Sequence, residues 1–142
     1  MYINFKLLSS SAMVPTLAHK DDAGYDIYSD ETIILKSKNS SLVKTGLSFN
    51  VPEGYVAYVV SRSGLAAKHQ IAVLNSPGVI DSGYIGEILV NLMNFGSKNY
   101  LIQKGDRIAQ IVFQKIERFE FIETKNFPLT GRNTCGHGST GI

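Results

Sequence analysis

The sequence has a single cysteine, Cys135, and no tryptophan among its 142 residues. One thiol excludes any disulfide within the chain and points to a reducing compartment. Charge of neither sign predominates, because 14 Lys and Arg stand against 12 Asp and Glu for a formal net charge of +2. The overall balance therefore predicts no nucleic-acid partner and no membrane surface, and affinity for a polyanion has to come from local placement of charge. No apolar run approaches the length of a membrane span. The first twelve residues carry Lys6 in their middle and lack the apolar stretch of a signal peptide. These absences together predict a soluble, cytoplasmic protein. His19, His69 and His137 are far apart with no paired Cys/His spacing, which argues against a zinc site. No Gly-Lys-Ser/Thr follows a strand, so a nucleotide enzyme built on this chain is not a P-loop machine.

The 44% hydrophobic content of the chain suits one globular domain of ordinary size. Short runs rich in Ile, Leu, Val and Phe predict strands at Ile3–Leu8, Thr32–Leu35, Leu47–Val51, Tyr55–Val60, Ile71–Leu74, Glu87–Phe95, Tyr100–Ile102 and Arg107–Ile116. The series predicts an all-β sandwich or barrel. Glu87–Phe95 and Arg107–Ile116 are apolar on both faces, where a two-layer sandwich needs one. The sequence leaves two readings even: a second subunit covers the extra face, or the strands lie deep in a closed barrel. Ser63 to His69 predicts one short helix, with a serine able to cap it and basic residues at its end. From Thr130 onward the chain is poor in apolar residues and punctuated by Gly131, Gly136, Gly138 and Gly141. That composition favours a disordered terminus; the alternative is a glycine-rich arm that orders over a ligand.

Several short pieces could carry chemistry. Asp81 and Tyr84 lie between glycines in Gly78-Val79-Ile80-Asp81-Ser82-Gly83-Tyr84-Ile85-Gly86, which predicts a hairpin with a carboxylate beside an aromatic ring at its tip. Such an aspartate can orient a water, or merely close an Asx turn. Ser61-Arg62-Ser63-Gly64 opens the helix, where free N–H groups suit phosphate. Gly105-Asp106-Arg107-Ile108-Ala109-Gln110 and Ala23-Gly24-Tyr25-Asp26 are ordinary turn signals when taken singly.

In series these pieces are specific. Ala23-Gly24-Tyr25-Asp26, Arg62-Ser63-Gly64, Gly78-Val79-Ile80-Asp81 with Tyr84 and Gly86, Gly105 to Gln110, and Arg132 with Gly136 to Gly141 resemble, in order, the five signature motifs of the trimeric dUTPases. The resemblance implies a jelly-roll-like β-barrel with one short helix. It implies a single domain, with residues 1–125 as the barrel and 126–142 as an arm closing over an active site. It implies a homotrimer with active sites shared between subunits, and hydrolysis of dUTP to dUMP and pyrophosphate with Mg²⁺. That activity limits uracil in DNA and supplies dUMP for dTMP synthesis. Carried over by residue, it makes Asp81 the base that activates water for attack on the α-phosphorus, and Tyr84 the ring against deoxyribose. Asn75 and the backbone of Gly78, Val79, Ile80 and Asp81 read uracil. Arg62, Ser63, Gly64 and Gln110 contact phosphates; from the arm, Arg132, Ser139 and Thr140 bind the β- and γ-phosphates, and His137 and Gly138 also bind substrate, His137 in the place of the ring that stacks on uracil. Asp26 holds Mg²⁺ through water.

The tail departs from the family pattern. His137 stands where a phenylalanine is usual, which predicts substrate affinity more dependent on pH near neutrality. Asn133 and Cys135 replace common glycines, and Gly83 replaces a common acid. A dCTP deaminase shares the implied fold, but the glycine-rich arm and Tyr84 favour the dUTPase, and the chain is short for a deaminase. A non-catalytic nucleotide-binding role is the rival of a different class. Val90, Leu92 and Ile111 are the residues expected at a subunit interface.

Overall fold

The structure is a computed structural model that describes residues 2–131. Its strands are β1 (Asn4–Leu7), β2 (Tyr25–Tyr28), β3 (Ile33–Leu35), β4 (Ser40–Lys44), β5 (Leu47–Asn50) and β6 (Tyr55–Val60). The helix α1 (Ser63–His69) follows, and then β7 (Ile71–Val73), β8 (Gly78–Ile80), β9 (Leu89–Asn94), β10 (Tyr100–Ile102) and β11 (Arg107–Lys115). All eight expected strands form, two of them with the expected bounds, Tyr55–Val60 and Tyr100–Ile102. Three strands carried too weak a pattern to be read: β2 beside its glycine, the serine-rich β4, and the three-residue β8.

The strands make a four-stranded sheet in the order β2-β11-β6-β8, a three-stranded sheet β4-β9-β7, and the pairs β1-β5 and β10-β3. All pairings are antiparallel. Ile27, Leu35, Val43, Leu47, Ile71, Val90, Leu92 and Ile111 fill the interior. Each such side chain contributes about 1.5–3 kcal/mol on burial. Asn94 is polar and buried, yet satisfied: its Nδ2 donates to the carbonyls of Leu35 (3.1 Å) and Lys98 (2.9 Å), and its Oδ1 accepts from the Gly96 N–H at 2.9 Å.

Val90, Leu92 and Ile111 are at most 1% exposed within the single chain. The expectation that they form an interface is thereby corrected, since they have no surface left for a partner. The outward face of β9 is different: Leu89 and Phe95 remain 42% and 48% exposed. For β9 the deep-barrel reading therefore fails.

The helix starts differently from expectation. Its N-cap is Arg62 in an extended conformation, with no side-chain cap hydrogen bond. Ser63 is already inside the first turn, and Ser61 Oγ is engaged elsewhere, accepting from the Val73 N–H at 2.8 Å. The last turn carries Lys68 and His69 as expected, followed by Gln70 in the left-handed conformation. Among the described residues no helix is long and apolar enough to cross a membrane.

Candidate active site

Sheet register brings three of the motifs into one row. Asp26 on β2 lies opposite Gln110 on β11, and Gln110 lies opposite Val60 at the end of β6. Arg62 follows Val60 by two residues. A Cβ on Gly24 would stand 3.3 Å from Cβ of Gln110, so the glycine makes room for the glutamine side chain.

Asp26 is buried, and its two carboxylate oxygens face two guanidinium groups. Arg62 Nε donates to Oδ1 at 2.9 Å and Arg107 Nη1 donates to Oδ2 at 3.3 Å. Arg62 Nη1 also donates to the Arg107 carbonyl at 3.1 Å. Ser63 and Gly64 form the first turn of α1, and a Cβ on Gly64 would meet nothing within 4 Å, so that turn is open to approach. Beside it lies a hollow of about 350 Å³ whose lining includes Arg62, Lys68, His69 and Arg107.

The segment around Asp81 is not the paired hairpin expected. β8 pairs with β6, with Gly78 opposite Val59 and Ile80 opposite Ala57, whereas β9 belongs to the other sheet. The chain from Ile80 to Leu89 arches between sheets, because Gly83 (φ +90°) and the unpaired residues beyond it break the ladder. An arch between sheets leaves space that a hairpin would close. The result is a cleft of about 230 Å³ bounded by Asn75, Gly78, Val79, Ile80, Asp81, Tyr84 and residues of β9.

Asp81 is exposed at this cleft. Its carbonyl accepts from the Tyr84 N–H at 3.2 Å, closing a turn, and both residues line the cleft. Tyr84 Oη donates to the Glu87 carbonyl at 2.9 Å, so the ring folds back over Gly86. A Cβ there would come within 2.5 Å of that hydroxyl oxygen, which explains the glycine. On the other wall, Asn75 Nδ2 would lie 3.3 Å from a Cβ on Gly78. Asn75 had no pattern of its own beyond its place ahead of Gly78. Arg107 was quoted only as part of its motif; its pairing with Asp26 spans 81 residues and left no local signal.

A family profile described as dUTPase matches residues 10–141. The chain belongs to the dUTPase family. It is 44% identical to the deoxyuridine 5'-triphosphate nucleotidohydrolase of Crocosphaera subtropica over the full length of both chains. A mutant dUTPase of Staphylococcus bacteriophage 80alpha, solved with dUpNHpp, superposes with a TM-score of 0.89 at 31% identity, covering 99% of each chain. A mutant dUTPase from phage phi11 of S. aureus, described as coordinating a structural Mg(II) ion, superposes with a TM-score of 0.84 at 31% identity, covering 89% of this chain and 99% of its own. Membership makes the chain a dUTP diphosphatase, and the barrel-like β fold with one short helix agrees with those structures. The expected arm residues Arg132, His137, Gly138, Ser139 and Thr140, with Asn133 and Cys135, lie outside the described residues.

Proposed function

We propose that dUTP is cleaved between its α- and β-phosphates by a water that Asp81 orients and deprotonates, giving dUMP and pyrophosphate. The observation that carries this reading is the cleft formed where the chain arches between sheets, with Asp81 and Tyr84 together at it. The cleft is of the size for a base rather than a whole nucleotide. Backbone groups of Gly78 to Asp81 and the Asn75 amide line it and supply both donors and acceptors. Cytosine would bring an amino donor to a place that suits the uracil carbonyl, at a cost of about 1–3 kcal/mol for each group left unpaired. Tyr84, folded over Gly86, would pack on deoxyribose where a 2′-hydroxyl collides.

The phosphates would lie elsewhere. Extending the β6–β8 register places Asp81 opposite Val56, six residues before Arg62. At about 3.3 Å per strand residue that separates base and arginine by roughly 20 Å within one chain. One α-phosphorus cannot meet both, so the reading requires a shared site: Asp81 from one subunit, and Arg62, Ser63, Gly64 and Gln110 from a neighbour. Two surfaces would support such a homotrimer. The outward face of β4-β9-β7 leaves Leu42 and Leu89 exposed, and the extended segment after β11 carries Phe119, Phe121, Ile122, Phe127 and Leu129 in the open. The last strand ends at Lys115, and this segment leads into the arm of residues 126–142, which would close over a site with Arg132, Gly138, Ser139 and Thr140 on the phosphates.

Mg²⁺ would enter with the nucleotide. Among the described residues no group of three or more His, Cys, Asp or Glu could hold an ion, so these residues offer no protein cage. Bound with the nucleotide, the metal would supply neutralisation of charge that develops during cleavage. A metal-bound water reaching Asp26 would meet a side chain 3% exposed, with an arginine on each oxygen, and Asp26 does not fit that task.

The test is pyrophosphate release from dUTP, dCTP, dTTP and UTP, with Mg²⁺ and with EDTA, by the wild type and Asp81→Asn. Release from dUTP alone, abolished by EDTA and lowered by at least a hundredfold in Asp81→Asn, is the expected result. Full activity of Asp81→Asn would remove Asp81 as the base. Ammonia from dCTP would move the chain to the deaminases.

A further inference from the structure

We propose that Asp26 is a positioning residue for the phosphate site, which acts by aiming Arg62 and not by holding the metal. The inference rests on the phosphate role proposed above for Arg62, Ser63 and Gly64.

The geometry is that of a clamp. Asp26 sits on β2, fixed on one side by the β11 ladder and on the other by exchanged backbone bonds with Thr16, at 2.7 and 3.2 Å. Its carboxylate is therefore held by the backbone, and the arginines come to it. Arg62 uses Nε on Asp26 and Nη1 on the Arg107 carbonyl, two bonds that fix the plane of the guanidinium. Its side chain remains 23% exposed, so one edge of the fork is open to a ligand. Arg62 is also the N-cap of α1 and has no side-chain cap of the usual kind. The Arg62 side chain is drawn to Asp26 instead, so the residue that opens α1 is tied to the carboxylate. Burial of one carboxylate between two guanidiniums leaves one positive charge in excess, which favours an anion. Without Asp26 the two arginines would repel each other and lose their common aim.

A metal ligand and a positioning residue give different signatures. The measurement is calorimetric binding of dUpNHpp by the full-length protein in EDTA and in Mg²⁺, together with the Mg²⁺ concentration for half-maximal dUTPase rate. For Asp26→Asn, affinity is expected to fall on the order of tenfold in EDTA and by the same factor in Mg²⁺, since a charge-assisted contact is lost in both. The half-saturating Mg²⁺ concentration is expected to stay unchanged. Asp26→Glu keeps the charge but shifts its position by a methylene, so it provides a folded variant with the same expected pattern if Asp26→Asn melts. Unchanged affinity in EDTA with a large rise in required Mg²⁺ would overturn the proposal and return Asp26 to the metal. Arg62→Met separates the two layers of argument: if it leaves analogue binding untouched, the phosphate role of Arg62 is what fails, whatever Asp26→Asn does.

Discussion

Asp30 shows how a single carboxylate organises a stretch of chain with no regular structure. It accepts from Ser9 Oγ at 2.6 Å and Ser11 Oγ at 2.7 Å, with Lys104 Nζ at 3.9 Å. The Ser9 hydroxyl is the main cause that holds its pKa below the ordinary carboxylate value; burial opposes the shift, and Ser11, Lys104 and Lys44 reinforce it. A carboxyl whose pKa is lowered by folding stabilises the native state above its unfolded value and loses that contribution as pH falls through the native one. Asp30→Asn is therefore expected to be less stable than the wild type at pH 7, and the gap should close as pH drops below about 4. Urea unfolding of both proteins at pH 7 and pH 3 measures it. A gap of equal size at both values would mean that packing, not charge, is what Asp30 contributes.

At the scale of elements, the decisive feature is the arch from β8 to β9. It crosses between sheets, and the cleft exists because the two strands do not pair. Tyr84 is held across this arch by one hydrogen bond to Glu87 and by the missing side chain of Gly86. Gly86→Ala would place a carbon 2.5 Å from the tyrosine oxygen, and the ring has to move. The expected outcome is a loss of roughly tenfold in discrimination of dUTP against UTP, with a small change in thermal stability, because residues 81–87 of the arch are not part of the core. The ratio of kcat/KM values for the two nucleotides reads it directly. If discrimination survives while Tyr84→Ala abolishes it, the ring has more freedom than the clash allows.

For the whole molecule, the question is what one chain can do alone. Asp81 and Arg62 follow the ends of neighbouring strands and lie roughly 20 Å apart by strand spacing, so under the proposed function they cannot serve one phosphorus from a single chain. Activity and assembly should therefore be lost together. Leu42 is 59% exposed and faces outward from β4, across from Asn91 and beside Leu89. The substitution Leu42→Glu puts charge on that apolar face at a residue that lines neither the cleft nor the Asp26 cluster. Sedimentation is expected to show monomers, with dUTP turnover reduced at least a hundredfold at micromolar protein and recovering as concentration rises. A fully active monomer would remove the shared-site reading and leave the outer face unexplained.

The sequence by itself determined eight of the eleven strands among the described residues, the short helix with its basic end, and the order of the motifs, because each is written in local periodicity or in residues close together. Tyr55–Val60 and Tyr100–Ile102 could be bounded to the residue, being apolar runs between strong turn signals. It named Asp81, Tyr84 and Asp26, whose surroundings it could not supply. Only the tertiary structure decided that β8 joins β6 and leaves β9 to the other sheet, that Val90, Leu92 and Ile111 are interior, and that Asp26 is enclosed by Arg62 and Arg107. Those outcomes depend on pairings between residues tens of positions apart. Such pairings are selected by competition for burial and for hydrogen-bond partners across the whole chain, and a local pattern carries no record of which partner wins.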